Sequence, residues 1–473
     1  MRSINLRAAK DYPVVSGTLH PGQLAGLNFF QDFLENDKPY AVLAGYAGTG
    51  KTHLVGALVR LLQQVCWGPI GVTSPTHQAK IVLQGRLALN GVRMNSEMLT
   101  VSTIHSWLEL KEEIDDNGSI KFVPQPTRVP RYAKEGCDVL FIDESSMIDT
   151  EIGRYIDEAW PHFRGKVLFV GDPCQIPPVG EDDSDPFLRV MADDPKFYGV
   201  HFLRDVVRQE QGNPIIQLAM TMRDHIESGD KLYKFPNLMD FVDGNRIRVM
   251  HGISLPECQA LYTSQESIDN PKYLKALAYR NATVDSLNFI VKMYRKGERR
   301  REMVLRYDVG DSYILTEPML DETQSRIIIP NNAEIIVEGV TEGIEGEGEY
   351  QYKVYSLIVS SDVLEKGSTV LLKARPRDPK YQELATLLLN YAKMQRSGSV
   401  QRAQAWREYY EFIRQYVPLK MSFALTAHRS QGSTYTYTII DEVDVFSNRN
   451  RYEGNRVAYT ALTRASEGVI ILR

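Results

Sequence analysis

Cysteine is scarce in this chain: four thiols, Cys66, Cys137, Cys174 and Cys258, serve 473 residues. No two of them stand in a CxxC spacing. That argues against a thiolate zinc site and against a disulfide framework, and leaves ordinary buried thiols. Long apolar runs are missing as well. None approaches the ~20 residues that cross a bilayer, and the opening Met1-Arg2-Ser3-Ile4-Asn5 has no apolar core of a secretory signal. A cytosolic protein without membrane contact is expected. Excess positive charge is absent too, with 55 Lys and Arg against 60 Asp and Glu for a net charge of −5. Composition alone therefore gives no sign of nucleic-acid binding, although a local basic groove is compatible with it. The one basic run, Lys292, Arg295, Lys296, Arg299, Arg300 and Arg301, reads as the solvated end of a helix.

What is present is a rhythm of short, wholly apolar runs that end in Gly, Asp, Ser or Thr before a helical pattern. Tyr40–Ala44, Ile70–Thr73, Val139–Ile142 and Val167–Val170 form one set, spanning about residues 20–200. Ala276–Tyr279, Ser422–Leu425, Tyr437–Ile440 and Val469–Leu472 form a second. Such runs, buried on both faces and alternating with helices, predict two parallel α/β sheets. At roughly 150 residues per domain the length allows a third unit. The stretch from about 311 to 415 interrupts the second set. Its first half predicts β-structure at Tyr313–Leu315, Glu334–Val337 and Tyr352–Tyr355, with Gly- and Glu-rich turns over Gly343 to Glu349. Its second half, Tyr381 to Tyr416, is rich in helix formers and broken by Ser-Gly-Ser at 397–399. Between Lys111 and Pro124, Asn117-Gly118 separates two short stretches, with Ile120 and Phe122 on one face. Asn-Gly accepts φ > 0 at both positions and predicts a β-hairpin.

Several segments carry chemistry. Gly45-Tyr46-Ala47-Gly48-Thr49-Gly50-Lys51-Thr52 follows a strand and precedes a helix. The N–H groups of such a loop wrap phosphates at a helix N-terminus. Lys51 is placed to reach the β- and γ-phosphates and Thr52 to hold Mg²⁺. Asp143-Glu144 closes an apolar strand downstream. An acidic pair there suits an ion and an attacking water, one carboxylate for each. Gln175, in Gly171-Asp172-Pro173-Cys174-Gln175, stands at the next strand end, where a glutamine senses the γ-phosphate or orients water. Arg208 and Arg464 are candidates for stabilising charge on the γ-phosphate.

Taken in order, these segments resemble the motifs of superfamily 1 helicases, on the RecD-like branch that moves 5′→3′, and are most similar to that branch's phage members. Leu19-His20-Pro21-Gly22-Gln23 resembles the Q motif, and Gly45 to Thr52 motif I. Ser74 to Lys80 resembles motif Ia, and Ser102 to Ser106 motif Ib. Asp143 to Met147, Gly171 to Val179 and Arg208 resemble motifs II, III and IV. Thr426 to Gly432 and Tyr459 to Arg464 resemble motifs V and VI. The resemblance runs from Gln23 to Arg464, nearly the whole chain.

The resemblance implies two tandem RecA-like P-loop domains with ATP and Mg²⁺ in the cleft between them. It implies catalytic roles for Lys51, Asp143, Glu144, Gln175, Arg208 and Arg464. Nucleotide contacts are implied at Gln23, which reads adenine, at Gly45, Gly48, Thr49, Gly50, Lys51 and Thr52, and at Gln431 and Gly432. Metal ligation falls to Thr52 and Asp143. A single-strand track is implied at Thr76, His77, Thr103, His105, His428 and Ser433. The hairpin takes the place of the family's strand-separating pin, with Phe122 stacking at the fork, and the insertion that of an SH3-like barrel with a helical tower. The implied boundaries are 1–110 with 125–200 for the first RecA-like domain and 111–124 for the pin. The second domain takes 201–310 with 416–473, and the insertion 311–415. The expected function is ATP-dependent 5′→3′ DNA unwinding. A translocase that strips bound proteins and a nucleotide-switched subunit of a recombination or nuclease complex are the alternatives. Expected partners are single-stranded and forked DNA, with single-strand-binding or replication proteins as candidates; a monomer is expected, in the cytoplasm, which is that of the host if the chain is a phage protein.

Overall fold

The computed structural model describes residues 19–65, 68–125, 130–205, 212–252, 256–321 and 327–473. Cys66 and Arg208 lie outside the described residues. Six strands form the first sheet, in the order Leu99–Thr103, Ile70–Ser74, Val139–Ile142, Lys166–Gly171, Tyr40–Gly45, Phe197–Leu203. Every pairing in it is parallel. The apolar runs are continuous because the sheet is buried on both faces. From the strand Tyr40–Gly45, Ala41 and Leu43 enter one core with Leu54, Leu58 and Phe141. Tyr40, Val42 and Ala44 enter the other with Ile104, Ile156 and Phe169.

The second sheet has five strands in the order Ala424–Thr426, Leu274–Ala278, Tyr435–Asp441, Ala465–Leu472, Ile247–Met250, again all parallel. The outer strands Leu99–Thr103, Phe197–Leu203 and Ile247–Met250 escaped the sequence reading. Leu99–Thr103 and Phe197–Leu203 carry partly exposed polar residues that break the apolar run, and Ile247–Met250 has an arginine at its second position.

A five-stranded antiparallel sheet follows, ordered Val370–Ala374, Tyr352–Ser361, Glu334–Glu345, Ser312–Leu315, Leu419–Met421. Its two edges meet. The Arg375 N–H donates to Val417 O at 2.9 Å and the Val417 N–H to Lys373 O at 2.8 Å, so the sheet curls on itself around Tyr313, Ile335, Val337 and Leu357. Helices Pro379–Met394 and Val400–Ile413 pack on each other as an arm beyond it.

Three expected boundaries need correction. The boundary at 200/201 cuts the strand Phe197–Leu203, which pairs with Tyr40–Gly45, so the first sheet continues to Leu203. The insertion extends past 415, because Leu419–Met421 pairs with Ser312–Leu315. Gly343 to Glu345 is strand, paired with Val354 to Tyr352. Its glycine serves the pleat, and the turn falls after it.

The hairpin expected at 111–124 forms between Leu110–Ile114 and Ile120–Pro124, but its turn differs from the two-residue type. Only Gly118 has φ > 0, at 79°. The Asp115 carboxylate accepts the N–H groups of Asn117 at 2.9 Å and Ser119 at 2.8 Å. That local acceptor holds a longer loop in which glycine alone is left-handed. The hairpin tip lies against the arm. The Trp406 indole N–H donates to Asp116 O at 3.2 Å, the Tyr410 hydroxyl to Gly118 O at 2.6 Å, and Arg414 pairs with Glu112. A Cβ on Gly118 would overlap the Trp406 ring.

The basic run is not a solvated helix end throughout. Lys292 is fully buried on the helix Asn281–Lys296, donating to Asp311 at 2.6 Å and to the Tyr313 hydroxyl at 2.9 Å. Arg295 donates to Tyr262 O at 3.0 Å and Ser267 O at 2.7 Å. Their aliphatic stems join the core, while the Lys292 head ties the helix to the β-module and the Arg295 head ties it to the helices Pro256–Thr263 and Gln265–Asp269. Among the described residues no helix is long and apolar enough to cross a membrane. Lys292→Ala would leave Asp311 buried without its cation, and the expected cost is about 3–5 kcal/mol of unfolding free energy, read from the urea transition of the purified chain.

Candidate functional site: a cleft between the two parallel sheets

In each parallel sheet the backbone polar groups of the inner strands are consumed by the ladders, and free ones appear at strand ends and along the edge strands. The C-terminal ends of the first sheet's strands gather the chemical residues at one edge, as open α/β sheets do. Gly45 leads from the strand Tyr40–Gly45 into the loop, with Gly48 and Gly50 left-handed at φ 81° and 78°. Lys51 and Thr52 begin the helix Lys51–Gln64. The Lys51 ammonium donates to Gly45 O at 2.6 Å and Tyr46 O at 3.0 Å.

Asp143 and Glu144 follow the strand Val139–Ile142, and Asp172 and Gln175 follow Lys166–Gly171. Glu144 holds φ 52°, a strained setting for a residue with a side chain. A cleft of about 850 Å³ opens here. On one wall it is lined by Gln23, Gly48, Gly50, Lys51, Thr52, Asp143, Glu144 and Gln175. The other wall carries Gly432, Ser433, Thr463 and Arg464 of the second sheet.

Burial, then repulsion from Glu144, pushes the Asp143 carboxyl up to about 6, against the pull of Lys51 and Arg86. Arg464 is buried and, among the described residues, has no carboxylate partner; its guanidinium donates to Thr460 O at 3.1 Å and Ser433 O at 3.3 Å. Glu144 Oε2 and Gln175 Oε1 are buried acceptors without a hydrogen-bond partner among the described residues. The cleft therefore fits a phosphate chain with a hard cation. It has a glycine cradle, a lysine and an arginine for the oxygens, and unspent oxygens on the opposite side. Among the described residues no cluster of three or more metal-ligating side chains exists. That suits Mg²⁺, which is commonly held by one or two carboxylates together with phosphate oxygens.

Not every expected residue lines this cleft. The Gln431 amide donates across the joint to Ile176 O at 2.9 Å and lines a neighbouring groove. One amide N–H thus ties the two sheets together, while Gly432, the other residue expected beside the nucleotide, lines the cleft. Gln23 is buried with both amide ends engaged. Its oxygen accepts from the His20 N–H at 3.1 Å, and its nitrogen donates to Thr49 O at 3.4 Å and Gly50 O at 3.3 Å. Sequence reasoning missed Arg86, on the helix His77–Leu89, because its place in the cleft depends on the packing of that helix.

The neighbouring groove, about 420 Å³, takes Thr76 from the first sheet and His428, Arg429 and Ser433 from the second. Asn332 and Glu334 join it from the β-module. It shares His428 and Arg429 with an open pocket that adds Tyr279 and Arg280. Thr76 and Thr103 accept helix N–H groups, from Ala79 at 3.1 Å and Ser106 at 3.2 Å, so each hydroxyl caps a helix. His77 is pushed down to about 4 by burial, Lys80 and His105, and is neutral at physiological pH. The His105 ring meets Phe122 edge-on at 5.4 Å between centroids, while Phe122 stays 47 % exposed.

Comparison with known proteins agrees with this arrangement. The AAA domain family matches residues 18–240, and the UvrD-like helicase C-terminal domain family matches residues 421–472. The ATP-dependent DNA helicase Dda of Enterobacteria phage T4 is 25 % identical, over 88 % of this chain and 90 % of its own. An uncharacterized protein of Acanthamoeba polyphaga mimivirus is 23 % identical over 94 % of this chain and 97 % of its own. In fold, the chain is similar to a Pif1 helicase from Bacteroides solved with ADP-AlF3 and single-stranded DNA. That likeness has a TM-score of 0.50 and 17 % identity, and covers 96 % of this chain and 92 % of the other.

Gly50→Ala tests the cradle. The substitution forces a Cβ into the left-handed region, at about 1–2 kcal/mol, and against the Gln23 amide. Nucleotide affinity measured by calorimetry is expected to fall about tenfold or more with little change in overall helicity.

Proposed function

We propose that this chain, which belongs to the Dda- and Pif1-like superfamily 1 helicases, is an ATP-dependent DNA helicase. It moves 5′→3′ along one strand and parts the duplex at a fork. The observation that carries this reading is the shared cleft, where a P-loop and acidic pair on one sheet face Arg464 on the other. Hydrolysis at such a joint changes how two bodies sit together, which is what a stepping motor requires.

In this reading Lys51 and the loop N–H groups hold the β- and γ-phosphates, and Gln23 with Gly432 borders the nucleotide. Thr52 and Asp143 hold Mg²⁺, which neutralises charge on the phosphate oxygens. Glu144, with one oxygen unspent, orients the attacking water. Gln175 senses the γ-phosphate. Arg464, with Arg208, meets charge developing there. Loss of the γ-phosphate removes the ties between the walls and the cleft relaxes. The groove beside it is continuous from Thr76 to His428 and Arg429, so the strand is held by both sheets and released by each in turn. Burial holds the His77 and His105 imidazoles below their ordinary pKa, so both donate hydrogen bonds to phosphate oxygens without repelling each other.

The hairpin serves as the pin, and the curled sheet with its arm as an SH3-like module and tower that brace it. Phe122 is exposed and backed by His105, as a wedge against the last base pair requires. A paired step costs about 1.4 kcal/mol on average, well within what one hydrolysis supplies.

Two measurements test the scheme. Glu144→Gln is expected to keep ATP binding while turnover falls at least about a hundredfold, the range of a lost general base; weakened binding would speak against its place at the water. Short duplexes with a 5′ or a 3′ single-stranded tail are expected to open only from the 5′ tail, and Phe122→Ala to reduce that opening while sparing strand-stimulated hydrolysis. Opening from the 3′ tail reverses the direction, and stimulated hydrolysis without opening points to a translocase that clears bound proteins.

A further inference from the structure

Tyr459 stands in the segment Tyr459 to Arg464, yet its hydroxyl faces away from the cleft's open volume and into the joint. It is 2 % exposed on the last turn of the helix Arg451–Leu462. The hydroxyl accepts the Ala47 N–H of the P-loop at 3.1 Å and donates to Asp172 Oδ2 at 2.9 Å. Asp172 is itself fixed, its Oδ1 accepting the Cys174 N–H at 3.0 Å. The next residue repeats the link, since Thr460 Oγ1 accepts the Ile176 N–H at 3.3 Å. The Thr460 carbonyl then holds the Arg464 Nε at 3.1 Å. Gln175 lies between the two tied positions, Asp172 and Ile176. The P-loop, the Gln175 turn and the helix end that presents Arg464 are thereby one hydrogen-bonded unit, and among the described residues Tyr459 is the helix-end residue bonded to both of the others.

We propose that Tyr459 is a positioning residue for hydrolysis. Through its bonds to Ala47 and Asp172 it registers Arg464 against the P-loop and Gln175, so that both meet the γ-phosphate together. This rests on the helicase reading and deepens it. The tyrosine does not line the cleft that holds Lys51, Glu144 and Arg464, and acts through Arg464. The ring belongs to the apolar joint, packed among Tyr46, Cys174, Ile176 and Ala458, so phenylalanine keeps the packing and removes only the two hydrogen bonds.

Steady-state ATP hydrolysis by the full chain, saturated with oligo-dT, tests the assignment in the native and Arg464→Ala backgrounds. In the native background Tyr459→Phe is expected to lower kcat about tenfold, the equivalent of about 1.4 kcal/mol in the barrier, with KM for ATP within about twofold. In the Arg464→Ala background it is expected to lower kcat no further. Asp172→Asn keeps an oxygen for Cys174 and replaces the acceptor of Tyr459 by a donor; it is expected to reproduce the same loss in kcat alone. An unchanged kcat in either variant, or an equal loss in both backgrounds, overturns the proposal. If Tyr459→Phe does not fold, Asp172→Asn decides on the same two outcomes. A native chain whose hydrolysis ignores oligo-dT fails the helicase reading instead, which separates the two failures.

Discussion

An apolar joint between the two parallel sheets is the constraint on which the rest of the structure depends. Tyr46, Cys174 and Ile176 come from strand ends of the first sheet, yet they pack in one core with Leu277, Ile440, Ala458 and Tyr459 of the second. Burial of that kind is non-directional and tolerates sliding. Direction comes from the polar bonds set into it, Tyr459 to Ala47 and Asp172, Thr460 to Ile176, and Gln431 to Ile176. A joint that is greasy in bulk and pinned at a few polar points can reopen in a defined way, because breaking a few bonds worth about 1 kcal/mol each does not dissolve it.

The same economy governs the groove. Thr76, Asn332, His428 and Arg429 come from three different sheets. The groove's width is therefore set by how the sheets sit together at the joint and by no one sheet alone. The β-module is carried with the second sheet through buried cations: Lys275 reaches Glu334 and the Ser422 carbonyl, and Lys292 reaches Asp311. Such pairs contribute little net energy against apolar alternatives but punish any other arrangement. The hairpin is bonded in turn to the arm of that module, by Trp406, Tyr410 and Arg414. A protrusion of the first sheet is thus braced by an insertion in the second.

Much of the fold was legible because fully buried strands leave continuous apolar runs. Tyr40–Gly45 and Val139–Ile142 announce themselves in that way. The strand Phe197–Leu203 did not, since Tyr198, His201 and Gly199 dilute it at the sheet edge, where one side is open. Lys292 misled in the opposite direction. Six basic residues in ten look solvated until a neighbouring module supplies Asp311.

By itself, the sequence determined the local chemistry: a glycine loop before a lysine, an acidic pair after an apolar strand, an arginine after a helix. These are short-range patterns, dictated by backbone freedom and by what a phosphate or an ion needs within a few residues. Tertiary structure alone decided the partnerships. It turned the Gln431 amide toward Ile176 and away from the nucleotide cleft, placed Arg86 beside Asp143, and seated Trp406 on Gly118. Each of these joins residues far apart in the chain, through packing that no local pattern encodes. The contact exists only once two sheets and an inserted module have each buried their own apolar faces.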